Sequence, residues 1–467
     1  MIRLIVILAL LTFCSASQLY AQKAELKLAL KYYSEADYYQ TLEMYRNIEK
    51  RYKMDFSKLS SVHKLHVAKS YYLLGDYKNA VATFRLIENL LEDDDIYYYA
   101  ISLRSRGDYE KAIVWFEKAK GETKSFSLME VYHQIDNCKW AYSHNLPDPN
   151  IVLTESTSFK TYGKSLGVCY VGDKVVYSSF EGDDIDVTEG NHPRKLYCLN
   201  QVNGKVVPGT DRKYSNYIRN QFDEGAVAVS PDGKYLYYTK TVELGMEKRT
   251  KIFVCEWDDK NSDWSKERQL EFTMDEYNYA HPSISFDYKY IYFSSDRNDG
   301  LGGKDIWYAE MISPTEAINV KNCGMLINTF ADEIYPSCMA DGSLLFSSDG
   351  LYGFGGFDIF KASFVNGVCT SVVNMMKPIN SPADDFDYVV SPQRPAFGLL
   401  SSNNSKDGVS DVIFYVENKL LSDKEKTIID KRSDLEPITN NKGYSEKNDS
   451  IFFIEKPKIR MRSIRYF

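Results

Sequence analysis

One stretch of this chain occurs twice, and no other feature limits the fold as much. Pro282–Tyr308 reads PSISFDYKYIYFSSDRNDGLGGKDIWY, and Pro336–Phe360 reads PSCMADGSLLFSSDGLYGFGGFDIF. Each copy has an Asp at a turn, an alternating apolar run, Ser-Ser-Asp, a loop ending in Gly-Gly, and Asp-Ile-aromatic. Ser295 and Ser348 stand 53 residues apart, and each is followed 10 residues later by its Asp, Asp305 and Asp358. A repeat of this length has to be settled before any element is assigned, because missing it misassigns the whole fold.

Weaker copies recur at a similar step. They are Ser165–Ser179, Gly225–Lys240 and Phe386–Ser402, the last followed by Ser410-Asp411-Val412-Ile413-Phe414. The positions matching Ser348 are Ser179, Lys240, Ser295 and Ser402, with steps of 61, 55, 53 and 54 along the series. Every unit holds three or four short runs rich in Val, Ile, Tyr and Phe, separated by Asp-Gly or Gly-Gly turns. Period-2 runs bounded in this way are antiparallel strands. Five four-stranded units give a β-propeller over 151–417, in which each blade buries its faces against its neighbours. Five units leave no spare blade. The spacing therefore predicts that Ile151–Leu153 completes the blade ending at Asp411–Val416.

Residues 23–145 carry a helical period instead. Ala29, Tyr32, Ala36, Tyr38, Tyr45 and Ile48 form one set. Ala68, Tyr71, Gly75, Tyr77, Ala80, Phe84 and Ile87 form a second, and Ala100, Leu103, Gly107, Tyr109, Ala112, Phe116 and Ala119 a third. Small residues let two helices approach, Gly75 and Gly107 make the turn, and an aromatic fills the groove. Asp37, Asp76 and Asp108 stand where they can cap the second helices. This pattern resembles the tetratricopeptide repeat. Phe126–His144 is expected to be a capping helix, and Pro147 and Pro149 mark a linker. The expected fold class is multidomain α plus all-β: a tetratricopeptide-type helical repeat followed by a five-bladed propeller. Such a solenoid resembles peptide- and helix-binding modules, and Tyr97, Tyr98 and Tyr99 are surplus aromatics available as partner-binding anchors. A spacer that binds nothing is the competing reading.

The ends differ in character. Residues 1–21 have a short basic start at Arg3, an apolar run and small residues before Gln22, as in a secretory signal peptide. Leu11-Thr12-Phe13-Cys14 also has the shape of a lipoprotein box, which would make Cys14 a lipidation site, although Phe13 is bulky for its place. Residues 418–467 are polar and end in a basic run, Lys456 to Arg465, expected to be a flexible tail. The net charge of −8 over 467 residues excludes a nucleic-acid footprint. The Cys residues beyond Cys14 show no C-x-x-C spacing, and Cys169, Cys255 and Cys338 fall in apolar strand runs, where a thiol acts as a small hydrophobe.

Chemistry-bearing residues repeat with the blades. Asp223, Asn278, Asp332 and Asp384 occupy one position before the first strand of four blades, and Glu224, Glu333 and Asp385 follow three of them. Asp223, Asp332 and Asp384 would either form an acidic channel mouth for a cation or a basic peptide, or satisfy backbone amides of the next blade. Gly300-Leu301-Gly302-Gly303-Lys304 lacks the Ser/Thr and the helix of a phosphate cradle. Calcium spacing also fails in the preceding Asp296–Gly300, so these glycines are expected to be tight turns with φ > 0. His281 stands where the sister blade has Tyr335, which makes it a packing residue. No catalytic set, cofactor site or metal site emerges, and the paired serines repeat as blade structure.

Taken together, the export signal, the helical repeats and blades reading Y-P-S…D-G…F-S-S-D…G-G-x-D-I-F resemble bacterial envelope proteins with tetratricopeptide repeats and a TolB-like, WD-type propeller. Their architecture is similar to PorE-type components of the type IX secretion and gliding machinery. That resemblance covers about 24–417 and implies a non-enzymatic periplasmic scaffold at the outer membrane. It would bind other envelope proteins, with membrane association only peripheral or through a lipid anchor. The family's C-terminal OmpA-like domain has no counterpart in the 50 residues after the last blade. The alternative is a glycan-binding or carbohydrate-active propeller of the envelope.

Overall fold

The computed structural model describes residues 20–54, 56–159, 166–180, 194–218, 224–405, 411–422 and 424. The leader with Cys14, the acid Asp223 and the basic tail lie outside them. The described helices and strands belong to the first of two compact units, which ends at Asp423.

The N-terminal part is a series of helices: α1 (20–34), α2 (Tyr38–Tyr52), α3 (Ser61–Leu73), α4 (Tyr77–Phe84), α5 (Asp94–Arg104), α6 (Tyr109–Ala119) and α7 (Leu128–Ser143). Their small and aromatic positions are buried as the spacing requires, with Ala68, Ala80, Ala100, Leu103, Ala112, Phe116 and Ala119 in one core. Gly75 and Gly107 turn between helices at φ of +78° and +75°, the left-handed conformation that only glycine adopts without cost. Ala36 takes the same turn at +60°. Asp37 and Asp76 cap by accepting from the amides of Gln40 (2.9 Å) and Asn79 (3.1 Å). Asp108 does not accept a capping bond, because its carboxylate turns to Lys111 Nζ at 2.5 Å. Ser127 and Glu130 form a reciprocal capping box on α7. Among the described residues no helix is long and apolar enough to cross a membrane.

The rest is a closed five-bladed β-propeller. Blade 1 holds β2 (Leu166–Val171), β3 (Lys174–Phe180) and β4 (Arg194–Val202), with the short β5 (Lys205–Val206) and β6 (Arg212–Lys213) on β4. Blade 2 is β7 (Glu224–Val229), β8 (Tyr235–Leu244), β9 (Glu247–Asp258) and β10 (Asp263–Gln269). Blade 3 is β11 (Tyr279–Ile284), β12 (Tyr290–Ser295), β13 (Asp305–Ser313) and β14 (Glu316–Asn322). Blade 4 is β15 (Glu333–Cys338), β16 (Leu344–Ser348), β17 (Asp358–Val365) and β18 (Val368–Asn374). Blade 5 is β19 (Asp385–Val390), β20 (Phe397–Ser402) and β21 (Val412–Asn418), and its fourth strand is β1 (Ile151–Glu155). β1 pairs antiparallel with β21, Ile151 opposite Asn418 and Leu153 opposite Val416. The ring is thus closed by a strand from before blade 1, as the blade count requires.

Each first strand carries a bulge at the same place, for example between Ala280 and Ser283 and between Ile334 and Ser337. Pro282 and Pro336 sit inside these bulges, where no ladder amide is lost. The bulge frees a backbone amide to reach the preceding blade. His281 N donates to Thr239 Oγ1 (3.0 Å), Cys338 N to Ser283 Oγ (2.9 Å), and Asp387 N to Ser347 Oγ (3.3 Å). The series closes where Val168 N donates to the Asp387 carboxylate, joining blade 5 to blade 1. An apolar cluster fills each of the five blade interfaces.

Breaking β1 tests the closure. Thr154→Pro removes the ladder amide that faces Tyr415 of β21, and should cost about 3 kcal/mol in urea unfolding. An unchanged unfolding midpoint would mean that β1 does not hold the ring shut.

Candidate interaction site

The repeated polar residues hold the blades together. Asp332 accepts Lys304 N at 2.7 Å and Asp384 accepts Phe357 N at 3.1 Å, so each carboxylate meets an amide of the preceding blade, not the next one. Asn278 does the same for Thr250 N at 3.0 Å. Neither Asp332 nor Asp384 lines the axial void. The acids that follow them are buried. Glu333 accepts from Ser348 Oγ and from the hydroxyl and amide of Thr329, all at 2.7 Å, and Asp385 accepts from Ser402 Oγ at 2.6 Å. Burial pushes the Glu333 carboxyl up to about 7 and raises Asp385 well above the usual carboxylate range. The second serine of each pair is therefore a tether, and in blade 3 Ser295 Oγ likewise reaches Asn278 O at 2.6 Å.

The glycines of the two long loops do not adopt positive φ, contrary to the turn expectation. Gly302 and Gly355 are glycines because the backbone leading into the next blade lies against them, and Gly303 and Gly356 because the Asp332 and Asp384 carboxylates do. A Cβ on Gly302 would stand 2.4 Å from Thr329 O, and one on Gly355 would stand 1.7 Å from Ala383 O. Two buried asparagines, Asn328 and Asn380, were not singled out from the sequence. Each pairs with the backbone of the strand beside it: Ile306 N and O at 2.7 and 2.9 Å, and Ile359 N and O at the same distances. The signal for them was present, since Ile-Asn-Thr/Ser recurs at Ile327-Asn328-Thr329 and Ile379-Asn380-Ser381.

The axial void is small, about 60 Å³, and is lined by Gly167, Ala226, His281, Tyr335 and Asp387 from the five bulges. His281 stacks on Tyr335 with ring centroids 3.8 Å apart, and both hold φ near +50° (+55° and +52°). His281 is thus a packing residue, and it faces the void as well. Desolvation, helped by the Lys304 and Arg194 cations, lowers its imidazole to about 3. Burial raises the Asp387 carboxyl to about 7.

A buried contact joins the helices to the propeller. The blade 4 loop 349–357 inserts Phe354, with no exposed surface, into the helical core. Asp358 holds that loop by accepting from Phe354 N (2.9 Å) and Gly355 N (2.9 Å). On the helical side, Tyr109 Oη donates to Phe354 O (2.9 Å), Asn137 Oδ1 accepts Gly353 N (2.8 Å), and Arg104 donates to Gly355 O. Trp140 lies against the Phe354 ring at 5.2 Å, and a Cβ on Gly107 would come within 3.0 Å of Pro382. Asp148 N, in the Pro147–Pro149 segment, donates to Lys377 O at 2.8 Å.

Of the three tyrosines offered as partner anchors, Tyr97 and Tyr99 are core residues. Tyr97 stacks on Phe126 at 3.8 Å, and Tyr99 packs edge-on to Trp115. Three consecutive positions on a helix cannot all face outward, and two of these turn inward. Tyr98 is half-buried, with Lys69 over its ring at 5.2 Å. Among the described residues, no group of three His, Cys, Asp or Glu side chains is placed to hold a metal ion.

No family model and no curated protein matches the chain. Solved structures that it resembles include TolB from Acinetobacter baumannii, at 16% identity over 61% of this chain and 70% of that one, with a TM-score of 0.32. An α-L-arabinofuranosidase from Lactobacillus brevis shows 11% identity over 58% and 93%, and Trypanosoma rangeli sialidase 9% over 60% and 62%, each with a TM-score of 0.32. At these scores the likenesses carry no argument about activity, and the strand pairing itself defines the propeller.

Two outcomes are expected. Phe354→Ala leaves a hole in the helical core and should cost about 3–5 kcal/mol. Calorimetry should then resolve separate helical and propeller transitions, and one undivided transition at the wild-type temperature would refute the coupling. The second concerns pH. His281 stays neutral in the fold down to about 3, whereas unfolded it takes a proton near 6.5. Its contribution is complete above pH 6.5 and is lost as pH falls toward 3, by at most about 1.4 kcal/mol per unit. The unfolding free energy of wild type relative to His281→Tyr should therefore fall between pH 6.5 and pH 4, and a flat difference would contradict the burial of the ring.

Proposed function

We propose that the protein is a non-enzymatic scaffold of the bacterial envelope that holds two partners at a fixed spacing, one on its helices and one on its propeller. The observation that carries this reading is the Phe354 insertion, which makes one body of the two parts. Rigid spacing between two binding surfaces is what a scaffold needs, and a merely flexible tether would not require a buried aromatic and its backbone bonds. The repeated acids and glycines support the same reading, because Asp332, Asp384, Gly302 and Gly355 hold neighbouring blades together, and the paired serines tie strands within a blade. On this reading the helices are tetratricopeptide-type units, and the protein is an exported, periplasmic component at the outer membrane. It would serve in a type IX secretion or gliding assembly of the PorE kind.

A second reading has its own observation. A groove of about 780 Å³ between blades 3 and 4 is lined by Tyr290, Tyr292 and Tyr308, whose rings lie 5.5 to 6.3 Å apart, with Asp287 and Asp341 at its edges. Aromatic faces beside carboxylates suit a glycan. Crosslinked pull-down of the full chain from envelope fractions separates the two readings. The scaffold reading expects recovery of secretion or motility proteins and no retention on a polysaccharide column. Retention on the column with no protein recovered would replace it with the glycan reading.

A further inference from the structure

The blade 3 loop 296–304 repeats the central bonds of the blade 4 loop that enters the helices. Leu301 N donates to Asp305 as Phe354 N donates to Asp358. Lys304 N donates to Asp332 as Phe357 N donates to Asp384. Gly302 and Gly303 abut Thr329 and Asp332 as Gly355 and Gly356 abut Ala383 and Asp384. The two loops differ in what covers their tips. Phe354 is fully buried in helices, whereas Leu301 is 46% exposed. Beside Leu301 stands Phe330, 57% exposed, at the position that Pro382 holds next to Phe354. Pro382 packs on the helical turn at Gly107, while most of the Phe330 surface is bare.

This bare patch is continuous with the interface already formed. The Phe330 ring meets His133 of α7 edge-on at 5.2 Å. Met129, one turn earlier on α7, is 82% exposed, and residues four apart share a helix face. Leu301, Phe330 and Met129 thus extend the helix–propeller seam by one blade. Isolated apolar side chains on a surface need no explanation, but a patch continuous with a formed seam marks an interaction site.

We propose that the blade 3 loop is a second helix-docking knob, and that it receives a helical hairpin of another protein in the way the blade 4 loop receives α5 and α6. The inference rests on the scaffold reading and names the site and the chemistry of one partner. The occupied site specifies that chemistry. Arg104, three residues before the turn glycine Gly107, donates to Gly355 O, and the glycine admits Pro382. The partner hairpin would carry an Arg aimed at Gly302 O, three residues before a small turn residue that admits Phe330. A second copy of this chain does not fit. Its α5–α6 hairpin already holds its own Phe354, and its α1–α2 and α3–α4 hairpins have Tyr33 and Tyr72 three residues before Ala36 and Gly75.

The test is site-specific photocrosslinking in the full chain, in cells that make the protein. Benzoylphenylalanine replaces Leu301, or Leu73 on the helical surface as a reference site, and adducts are mapped by mass spectrometry. Adducts from position 301 should fall at the turn of a helical hairpin in another protein. They should drop about tenfold or more in Phe330→Glu, with thermal stability unchanged because Phe330 is exposed. Adducts from 301 on strands, lipid or glycan, or adducts indifferent to Phe330→Glu, would overturn the docking site. So would capture from Leu73 with none from 301, and that result would leave the scaffold reading standing. No protein adduct from either position would overturn both.

Discussion

A single buried ring ties this molecule together. Phe354 leaves the propeller and completes the core built by α5, α6 and α7, more than two hundred residues earlier in the chain. Its removal from water is worth roughly 1.5–3 kcal/mol, and the polar backbone that must accompany it is satisfied on both sides. Asp358 accepts its amide, Tyr109 donates to its carbonyl, and Arg104 and Asn137 take up the neighbouring glycines. A loop with orphaned amides would gain nothing by being buried there, because each would lose about as much as the ring gains. The Asp358 carboxyl is itself buried and pushed up to about 7, so part of that gain offsets its desolvation.

The same economy of backbone bonds organises the blades. Buried Glu333 and Asp385 are placed where three donors or two converge, and their serine partners end the second strand of the same blade. These bonds are directional and lock the second strand of a blade to its first, while the bonds of Asp332 and Asp384 to Lys304 N and Phe357 N fix each blade against its neighbour. Glycine at 302 and 355 serves the same end, since any side chain would hold the blades apart. Blade 2 departs from the pattern. Lys251 stands across from Lys240, where blades 3 and 4 pair Asp with Ser, and it is buried with its ammonium on Tyr277 O at 2.7 Å. A cation satisfying carbonyls there does the tethering that an anion satisfying amides does elsewhere.

On the proposed scaffold reading, the contact between helices and ring transmits position. The helices cannot swing freely against the ring, because Gly107 abuts Pro382 and Asp148 is bonded to Lys377 O, so the intervening prolines end in a fixed contact. Partners held by helices and blades would therefore keep one mutual orientation. The polar residues that repeat from blade to blade are committed to this rigidity, which leaves the exposed apolar tips and the tyrosine groove as the surfaces free for recognition.

Much of this was legible in the linear chain. The 53-residue step and the Asp-to-Ser spacing determine the blades, and a count of five with no spare unit determines that an outside strand must close the ring. The alanine and glycine spacing likewise determines which helix faces pack and where they turn, since small residues and left-handed turns have few alternatives. Other features depended on distance in space. Nothing near Phe354 in sequence distinguishes it from Leu301, its twin, and only the tertiary structure puts helices over one and not the other. Tyr97, Tyr98 and Tyr99 are one run of aromatics in sequence, yet the neighbouring helices decide that two are core. The loop glycines look like turns, and only the approach of the next blade's backbone shows why they carry no side chain. Local spacing determined the elements because their periods are set within a few residues, whereas which surfaces met was decided by the closed ring and the helix stack together.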